Sequence, residues 1–177
     1  MRCLVCQDSG AVFAQSAAGS RSAVRADPLQ GTWETKSVST RALRQVLVSS
    51  GSTDAQVASF FKFFGMRKAW RNRLVFYRES GVRFLAMSGW DPTVHPGPAR
   101  PDHGPYTLLS NHRFVARGVD PPTDRLRMLF SYSVTGDRLA LRFISLKEPY
   151  PAFSRVDIAR DTMLMRIVAA VPYRRAG

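Results

Sequence analysis

Four side chains capable of acid–base or metal chemistry lie within one Pro- and Gly-rich stretch of the chain. Asp91, His95, Asp102 and His103 all fall in residues 91–105, and an irregular segment of that length is typical of a functional or a mobile loop. A histidine close to a carboxylate can transfer protons near neutral pH or bind a metal ion. Because Pro and Gly dominate the segment, we favour the alternative that these polar residues only solvate a loop.

Both cysteines belong to a single Cys3-x-x-Cys6 motif. This spacing fits half of a zinc site or a redox pair, but structural zinc takes four ligands. The histidines, His95, His103 and His112, do not have ligand spacing. We therefore predict no metal site and no cofactor, and we interpret the cysteines as incidental thiols.

Motifs of the common catalytic classes are missing from the sequence. It contains no G-x-S-x-G elbow, no Walker-type G-K-[ST], no H-E-x-x-H and no Rossmann fingerprint. A haem-binding barrel would need one inward-facing histidine, and only His112 has a suitable position, at a strand end where we assign it to a turn. We therefore expect a binding protein and not an enzyme.

The chain is strongly basic, with a formal net charge of +13, and 22 of its 26 basic residues are arginine. Clustered basic side chains bind nucleic acid by neutralising its phosphates. Here they are spread along every segment, and pairs such as Arg71/Arg73 and Arg174/Arg175 do not join into a run. The distribution favours a generally basic, solvated surface. A basic interaction module for nucleic acid or acidic partners is the alternative.

Residues 1–28 differ in composition from the rest of the chain. They are rich in Ala, Ser and Gly without sustained strand or helix periodicity, which predicts a disordered leader before a domain over residues 29–177. No uninterrupted apolar core of ~7–15 residues marks a signal peptide, so a cytoplasmic location is the default expectation. No run reaches the ~18 apolar residues that span a bilayer, so we predict no membrane span.

The first part of the domain has the pattern of one strand and two helices. Residues 29–35 alternate as a strand. A helix is predicted over residues 39–50, with Ser39 as its N-cap. A second helix begins at the capping box Thr53-x-x-Gln56 and ends at Gly65.

Two further strands are predicted at residues 73–78 and 82–86. The residues between them, Glu79-Ser80-Gly81, fit a three-residue hairpin turn with its glycine in the left-handed region. In that register Phe76 lies opposite Phe84, and no arginine lies opposite another.

The clearest local signal is the hairpin of residues 126–144, which follows a predicted strand pair at residues 106–109 and 113–117. Apolar residues alternate on both sides of a Gly136-Asp137 turn. The register that this turn dictates places apolar residues opposite one another on one face: Val134 with Leu139, Tyr132 with Leu141, and Phe130 with Phe143.

A last helix is predicted before Pro172. Asp157 or Asp161 can cap its N-terminus, and one apolar stripe predicts that it packs against the sheet. The stripe consists of Leu164, Ile167, Val168 and Val171.

About seven antiparallel strands with short turns indicate a barrel or a strongly curved sheet. Gly31-Thr32-Trp33 resembles the G-x-W signature of lipocalins and related calycin barrels, and Gly104-Pro105-Tyr106 and residues 132–139 are similar to the closing hairpins of bacterial lipocalin-like domains. The resemblance implies a mainly β fold, a lipocalin-like antiparallel β-barrel with a helical pair after the first strand and a C-terminal helix. It also implies that Gly31 and Trp33 are structural, with Trp33 plugging the closed end. The alternative is an α+β cone of the nuclear-transport-factor type, in which early helices cover a curved sheet.

Inward-facing aromatic side chains form the predicted binding site. Ligand pockets are mostly apolar with a few polar groups, so these rings could surround a small hydrophobic or amphipathic molecule, an anionic one if arginines at the barrel mouth pair with it. Ordinary core packing is the alternative for each ring. The candidates are Phe76, Phe84, Tyr106, Phe114, Phe130, Tyr132 and Phe143.

Overall fold

The chain places strands on both sides of an early pair of helices and one more helix near its C-terminus. The computed structural model describes residues 27–98, 100–118, 126–147 and 154–177; residues 1–26 of the predicted leader, with Cys3 and Cys6, lie outside them. The elements are β1 (Gly31–Thr35), β2 (Val38–Ser39), α1 (Thr40–Ser49), α2 (Asp54–Phe63), β3 (Ala69–Glu79), β4 (Val82–Trp90), β5 (Asp102–Leu109), β6 (Arg113–Arg117), β7 (Arg127–Thr135), β8 (Arg138–Lys147), α3 (Arg155–Ala169) and β9 (Tyr173–Arg175).

Eight of these strands close into an antiparallel barrel. Hydrogen-bonded neighbours follow the order β1-β9-β8-β7-β6-β5-β4-β3, β1 also pairs with β3, and β2 extends the edge of β3. The predicted mainly β barrel, with a helical pair after β1 and a C-terminal helix, is confirmed, and the cone is wrong. In a closed barrel, alternate residues of each strand face the interior, which explains the alternation in the sequence.

The β7–β8 hairpin has the predicted register. Its Cα partners are Val134 with Leu139, Tyr132 with Leu141 and Phe130 with Phe143, and Gly136 in the turn has a φ of 60°. Beyond Phe130 the register shifts at a β-bulge, where Ile144 is 44% exposed. A bulge bends and twists the strand that carries it, which suits the curvature of a barrel.

The register predicted for the β3–β4 hairpin is wrong by one residue. The turn contains two residues, Ser80 and Gly81, with φ of 49° and 82°, and Glu79 pairs with Val82. Positive φ at both central positions is the geometry of a type I′ turn, whose twist matches that of the strands. The sequence prediction includes Glu79 in the turn, and this displaces every predicted pair between β3 and β4 by one residue.

The shift moves Phe84 to the outer face of the barrel. Phe84 lies opposite Tyr77, with ring centroids 5.5 Å apart and planes 21° from parallel, while Phe76 faces inward opposite Leu85. It also places Arg78 opposite Arg83, contrary to the prediction that no arginine faces another. Arg83 donates from Nε to Asp27 Oδ2 at 2.8 Å, which offsets the repulsion.

The predicted long loop is shorter than expected because β5 begins at Asp102. The segment assigned to residues 91–105 ends at residue 101, and Pro105 lies within β5 opposite Phe84. Gly104 and Pro105 are turn formers by composition, and only the partner strands show that they extend a strand here.

The helices begin largely where the sequence predicts. Ser39 Oγ accepts from Ala42 N at 3.2 Å, and Thr53 and Gln56 form the expected capping box. The N-cap of α3 is Ser154, not Asp157 or Asp161, because the Ser154 hydroxyl accepts from Asp157 N at 3.1 Å.

Helix α3 joins two apolar clusters. Met165 and Val168 pack into the barrel core, and Met163 and Ile167 pack against α1 and α2. Of the predicted stripe, Val168 faces the barrel and Ile167 faces α1 and α2, whereas Val171 lies beyond the end of the helix at Ala169. Within the four described ranges, every helix is too short or too polar to cross a membrane.

Candidate ligand-binding site

One half of the barrel interior is filled by aromatic rings. Phe76 lies edge-on to Tyr106 at 5.3 Å, and Phe114 stacks on Phe130 at 5.2 Å between centroids. Phe143 contacts Phe130 at 5.6 Å. These contacts resemble those of an ordinary aromatic core.

A buried polar cluster covers the aromatic half. Tyr106 Oη donates to Asp27 Oδ2 at 2.6 Å, and Asp27 Oδ1 accepts from Leu29 N at 3.0 Å. Burial, followed by the hydrogen bond and the charge of Asp27, raises the pKa of Tyr106 above its usual range. Asp27 was assigned to the leader by composition, yet its side chain is buried against the barrel.

Trp33 and Gly31 lie in the wall next to this cluster. Trp33 is fully buried, and its Nε1 donates to the Leu29 carbonyl at 2.7 Å. The Arg175 guanidinium lies 4.5 Å from the Trp33 ring centroid. Gly31 has a φ of 125°, and a Cβ there would lie 3.2 Å from Arg175 Nη1. The contacts of both residues are those of a packed wall.

A cavity of about 150 Å³, partly open to solvent, lies in the other half of the interior, between the barrel and α3. An apolar cavity of this size admits a molecule such as benzene or xenon. Its apolar walls are Leu74, Leu85, Met87, Ala116, Leu126, Met128, Leu146, Leu164, Met165 and Val168. None of the seven predicted aromatic residues lines it. Phe84 is outside the barrel, and the other six belong to the packed half.

Ala116 leaves part of this space, because it is a small residue at an inward position of β6 where Phe114, two residues earlier, carries a ring. At Gly89 and Gly104 the Trp70 ring and the Arg117 backbone occupy the place that a side chain would take. Gly89, Gly104, Ala116 and Gly118 line the cavity, and Gly104 and Ala116 are on the same strands as Tyr106 and Phe114. Large rings in the sequence do not mark this region. Its signal in the sequence is a small residue, Ala116, at an inward position of β6.

Polar and charged residues also line the cavity, among them Asn72, Asp102, His103, Arg117 and Asp161. Asp102 lies opposite Met87 and faces inward, whereas Arg117 follows the inward-facing Ala116 and so faces outward. The two carboxylates, Asp102 and Asp161, disfavour a carboxylate ligand and favour a neutral or cationic polar group. This differs from the anionic ligand expected if arginines at the barrel mouth bind it.

Asp161 is the cavity residue whose ionisation is most clearly perturbed. Burial raises its pKa above the usual value, Arg160 opposes the increase, and the charges of Asp157 and Asp102 add to it. The folded protein therefore binds this proton more tightly than the unfolded chain does. Stability falls as the pH rises through the folded pKa and is constant above it.

We expect Asp161→Asn to raise the free energy of unfolding at pH 7 and to change it less at pH 4. Chemical denaturation at both pH values measures the difference. Asp157 is a matched control on the same helix, because a hydrogen bond from Ser154 lowers its pKa. Asp157→Asn is therefore expected to destabilise at pH 7. Equal effects of the two substitutions would contradict this assignment.

The polar residues of the predicted loop are separated in the structure. Asp91 is buried and accepts hydrogen bonds from the backbone N–H groups of Arg67 and Lys68. His95 lies in a surface pocket beside Trp90. Asp102 and His103 are adjacent in β5 and therefore project to opposite faces. In the part of the chain that the structure describes, no three His, Cys, Asp or Glu side chains group as a metal site would require.

His112, the candidate for an inward haem ligand, is exposed in the β5–β6 turn. Its φ is 52°, and its ring contacts Tyr132 at 5.6 Å between centroids. His112 is therefore a turn residue, and its side chain does not line the cavity.

The architecture is consistent with a calycin-like barrel, with the G-x-W motif at the start of β1 and its tryptophan buried. Fold alone does not determine activity, so function has to be argued from the cavity and the surface. Comparison with protein-family models, with curated proteins and with solved structures found no match to this chain.

Proposed function

We propose that this protein is a lipocalin-like binding protein that holds a small apolar molecule, or the apolar end of a longer one, in the cavity beneath α3. The observation that carries the proposal is the cavity itself. About 150 Å³ of interior space is lined mainly by aliphatic side chains and has polar groups at its edge. Protein interiors are otherwise packed with few voids larger than a water molecule.

The edge of the cavity defines the chemistry of the ligand. The Asp102 and Asp161 carboxylates can accept hydrogen bonds from an amine or a hydroxyl group, whereas they repel a carboxylate. Asn72 is buried, and its Oδ1 already accepts a hydrogen bond from Trp70 Nε1 at 2.9 Å. The preferred ligand is therefore a neutral or cationic amphiphile with a narrow apolar part.

Binding can be tested with probes whose size and charge are known. Xenon and benzene test the cavity, and decylamine, decanol and decanoate test the polar edge. We expect xenon and benzene to perturb methyl NMR signals of Leu85, Met128 and Val168. We expect decylamine and decanol to raise Tm at concentrations where decanoate does not.

Ala116→Leu provides a variant that fills the cavity. Ala116 is 2% exposed and lines the cavity, so a larger side chain there removes the space for the probe. Ala140→Leu is the matched control, since Ala140 is exposed and opposes Ser133 on the outer face. Loss of probe binding in A116L alone supports the proposal. Binding that survives in A116L, or no binding by the unaltered protein, refutes it.

A further inference from the structure

The outer faces of β6, β7, β8 and β9 form a basic wall. Antiparallel pairing places Arg117, Arg127 and Lys147 side by side on three neighbouring strands. Residues that are far apart in the sequence are brought together here at the strand spacing of about 4.8 Å. Arg113 and Arg142 lie on either side of Ser131, and Arg138 lies opposite Arg174.

Within the described part of the chain, few acidic side chains pair with the basic residues of this wall. Among the described residues, Arg117, Arg138, Arg142 and Lys147 form no ion pair, and Asp137 lies 3.4 Å from Arg174 at one edge. The wall on the other side of the barrel is different, because Glu34 pairs there with both Arg71 and Arg73. In the ranges that the structure describes, the β6–β9 wall therefore carries more basic side chains outside ion pairs than the wall around Glu34 does.

The shape of the wall fits a long, narrow anion. Arg138, Arg142 and Lys147 follow β8 over about 30 Å, given about 3.3 Å per strand residue. Side chains on the outside of a barrel diverge, so a flat surface meets only a few strands at once. Ile144 is the only large hydrophobic side chain of the described part of these strands with more than a third of its surface exposed, whereas a surface that binds membranes presents several.

From this arrangement we propose that the β6–β9 wall binds double-stranded nucleic acid through its phosphates, without sequence preference. Duplexes carry one charge per about 1.7 Å of helix axis. Arginine binds phosphate with two parallel hydrogen bonds. Hydroxyl groups such as Ser131 and Ser133 on the same face can add phosphate contacts. Proteins that prefer single strands stack bases on aromatic side chains, and the outward positions of β6–β8 carry none.

The test compares two charge-matched variants of the full chain. The wall variant carries Arg117→Gln, Arg142→Gln and Lys147→Gln. The control variant carries Arg41→Gln, Arg67→Gln and Lys62→Gln, all exposed and outside the wall. Both lose three positive charges, two from arginine and one from lysine, so they differ only in where the charge is removed.

Fluorescence anisotropy with a 20-base-pair duplex, at several salt concentrations, gives the affinity and its salt dependence. The slope of log K against log salt is about −0.9 for each phosphate neutralised. The wall variant is expected to lose about 2.7 from the magnitude of this slope and at least about tenfold in affinity at 0.1 M salt. The control variant is expected to change affinity by less than about threefold, because its charges do not contact phosphate.

Several outcomes would overturn the proposal. Equal losses in the two variants would show that net charge alone binds the duplex. Tighter binding to a single strand of the same length, or binding to phosphatidylglycerol vesicles in place of the duplex, would assign the wall to another partner. An unaltered protein that does not bind the duplex at 50 mM salt would also reject it. Thermal melting of both variants shows whether they remain folded.

Discussion

Replacement of Asp91 by alanine is expected to lower the free energy of unfolding by about 4 kcal/mol. The Asp91 side chain is 2% exposed. Its Oδ2 accepts from Arg67 N at 2.7 Å and from Lys68 N at 2.9 Å. Its Oδ1 accepts from Thr93 N at 2.8 Å and from Thr93 Oγ1 at 2.6 Å. Alanine would leave all these donors without their acceptor.

The size of the effect follows from the charge and the burial. A hydrogen bond to a charged group contributes about 1.5–3 kcal/mol, and a buried donor without a partner costs about 1–3 kcal/mol. These terms are not additive, so the sum overestimates the loss. Asp91 connects the end of β4 to the segment before β3, so both strand ends loosen together. Urea denaturation at pH 7 measures the change.

Asp54→Ala is the matched control. The Asp54 side chain is 75% exposed and pairs with Arg44 at 2.6 Å, and an exposed ion pair contributes about 1 kcal/mol or less. A loss of that small size in D91A would mean that water replaces the carboxylate at this site.

The same carboxylate has a defined dependence on pH. Burial acts to raise the pKa of Asp91, but hydrogen bonds from Thr93 and from backbone N–H groups outweigh it and hold the pKa well below its usual value. A depressed folded pKa gives stability that is complete above the unfolded pKa, about 3.9, and is lost as the pH falls below it. Asp91→Asn removes the loss of stability at acid pH. It also places an NH₂ group opposite N–H groups that donate to the carboxylate in the unaltered protein.

The β7–β8 hairpin was predictable because local and distant constraints agree. Gly136 fixes a two-residue turn, and that turn brings apolar residues together on one face. The local sequence specifies the β3–β4 turn less clearly. Ser80 adopts a positive φ of 49°, which is uncommon for residues other than glycine. For this reason the sequence predicts a three-residue turn where the structure has two residues.

The candidate site was not predictable from aromatic content. Large inward rings such as Phe114 and Phe130 pack against one another, and the space for a ligand lies beside the small inward residue Ala116. At Gly104 the Arg117 backbone fills the space that a side chain would take. A small side chain leaves a cavity only where neighbouring residues do not fill the space. Predicting this requires the positions of α3 and of the partner strands, which the sequence alone does not provide.

The basic wall shows the same dependence on pairing. Arg117, Arg127 and Lys147 are separated by ten and twenty residues in the sequence, so no run of charge appears there. The registers of β6–β7 and β7–β8 align them in one row. The basic residues are dispersed in the sequence because they cluster only across neighbouring strands.

Gly104→Ala is expected to lower the free energy of unfolding by about 3–5 kcal/mol. A Cβ at this position would lie 1.7 Å from the Arg117 carbonyl oxygen and 2.8 Å from its carbon. Both atoms belong to the backbone, so no change of rotamer relieves the overlap. β5 and β6 must separate at this point, and that weakens the wall of the cavity as well as the sheet.

The same glycine-to-alanine substitution at two other positions is expected to have smaller effects, which gives a series of three graded losses of stability. A Cβ at Gly89 would lie 2.3 Å from a ring carbon of Trp70, and because a side chain can shift, we expect a loss of about 1–3 kcal/mol. A Cβ at Gly97 would have nothing within 4 Å, so Gly97→Ala should lie within about 0.5 kcal/mol of the unaltered protein. Urea denaturation of the three variants tests the order. If Gly104→Ala is as mild as Gly97→Ala, then β5 and β6 do not approach as closely as the structure shows, and the wall that they contribute to the cavity is different.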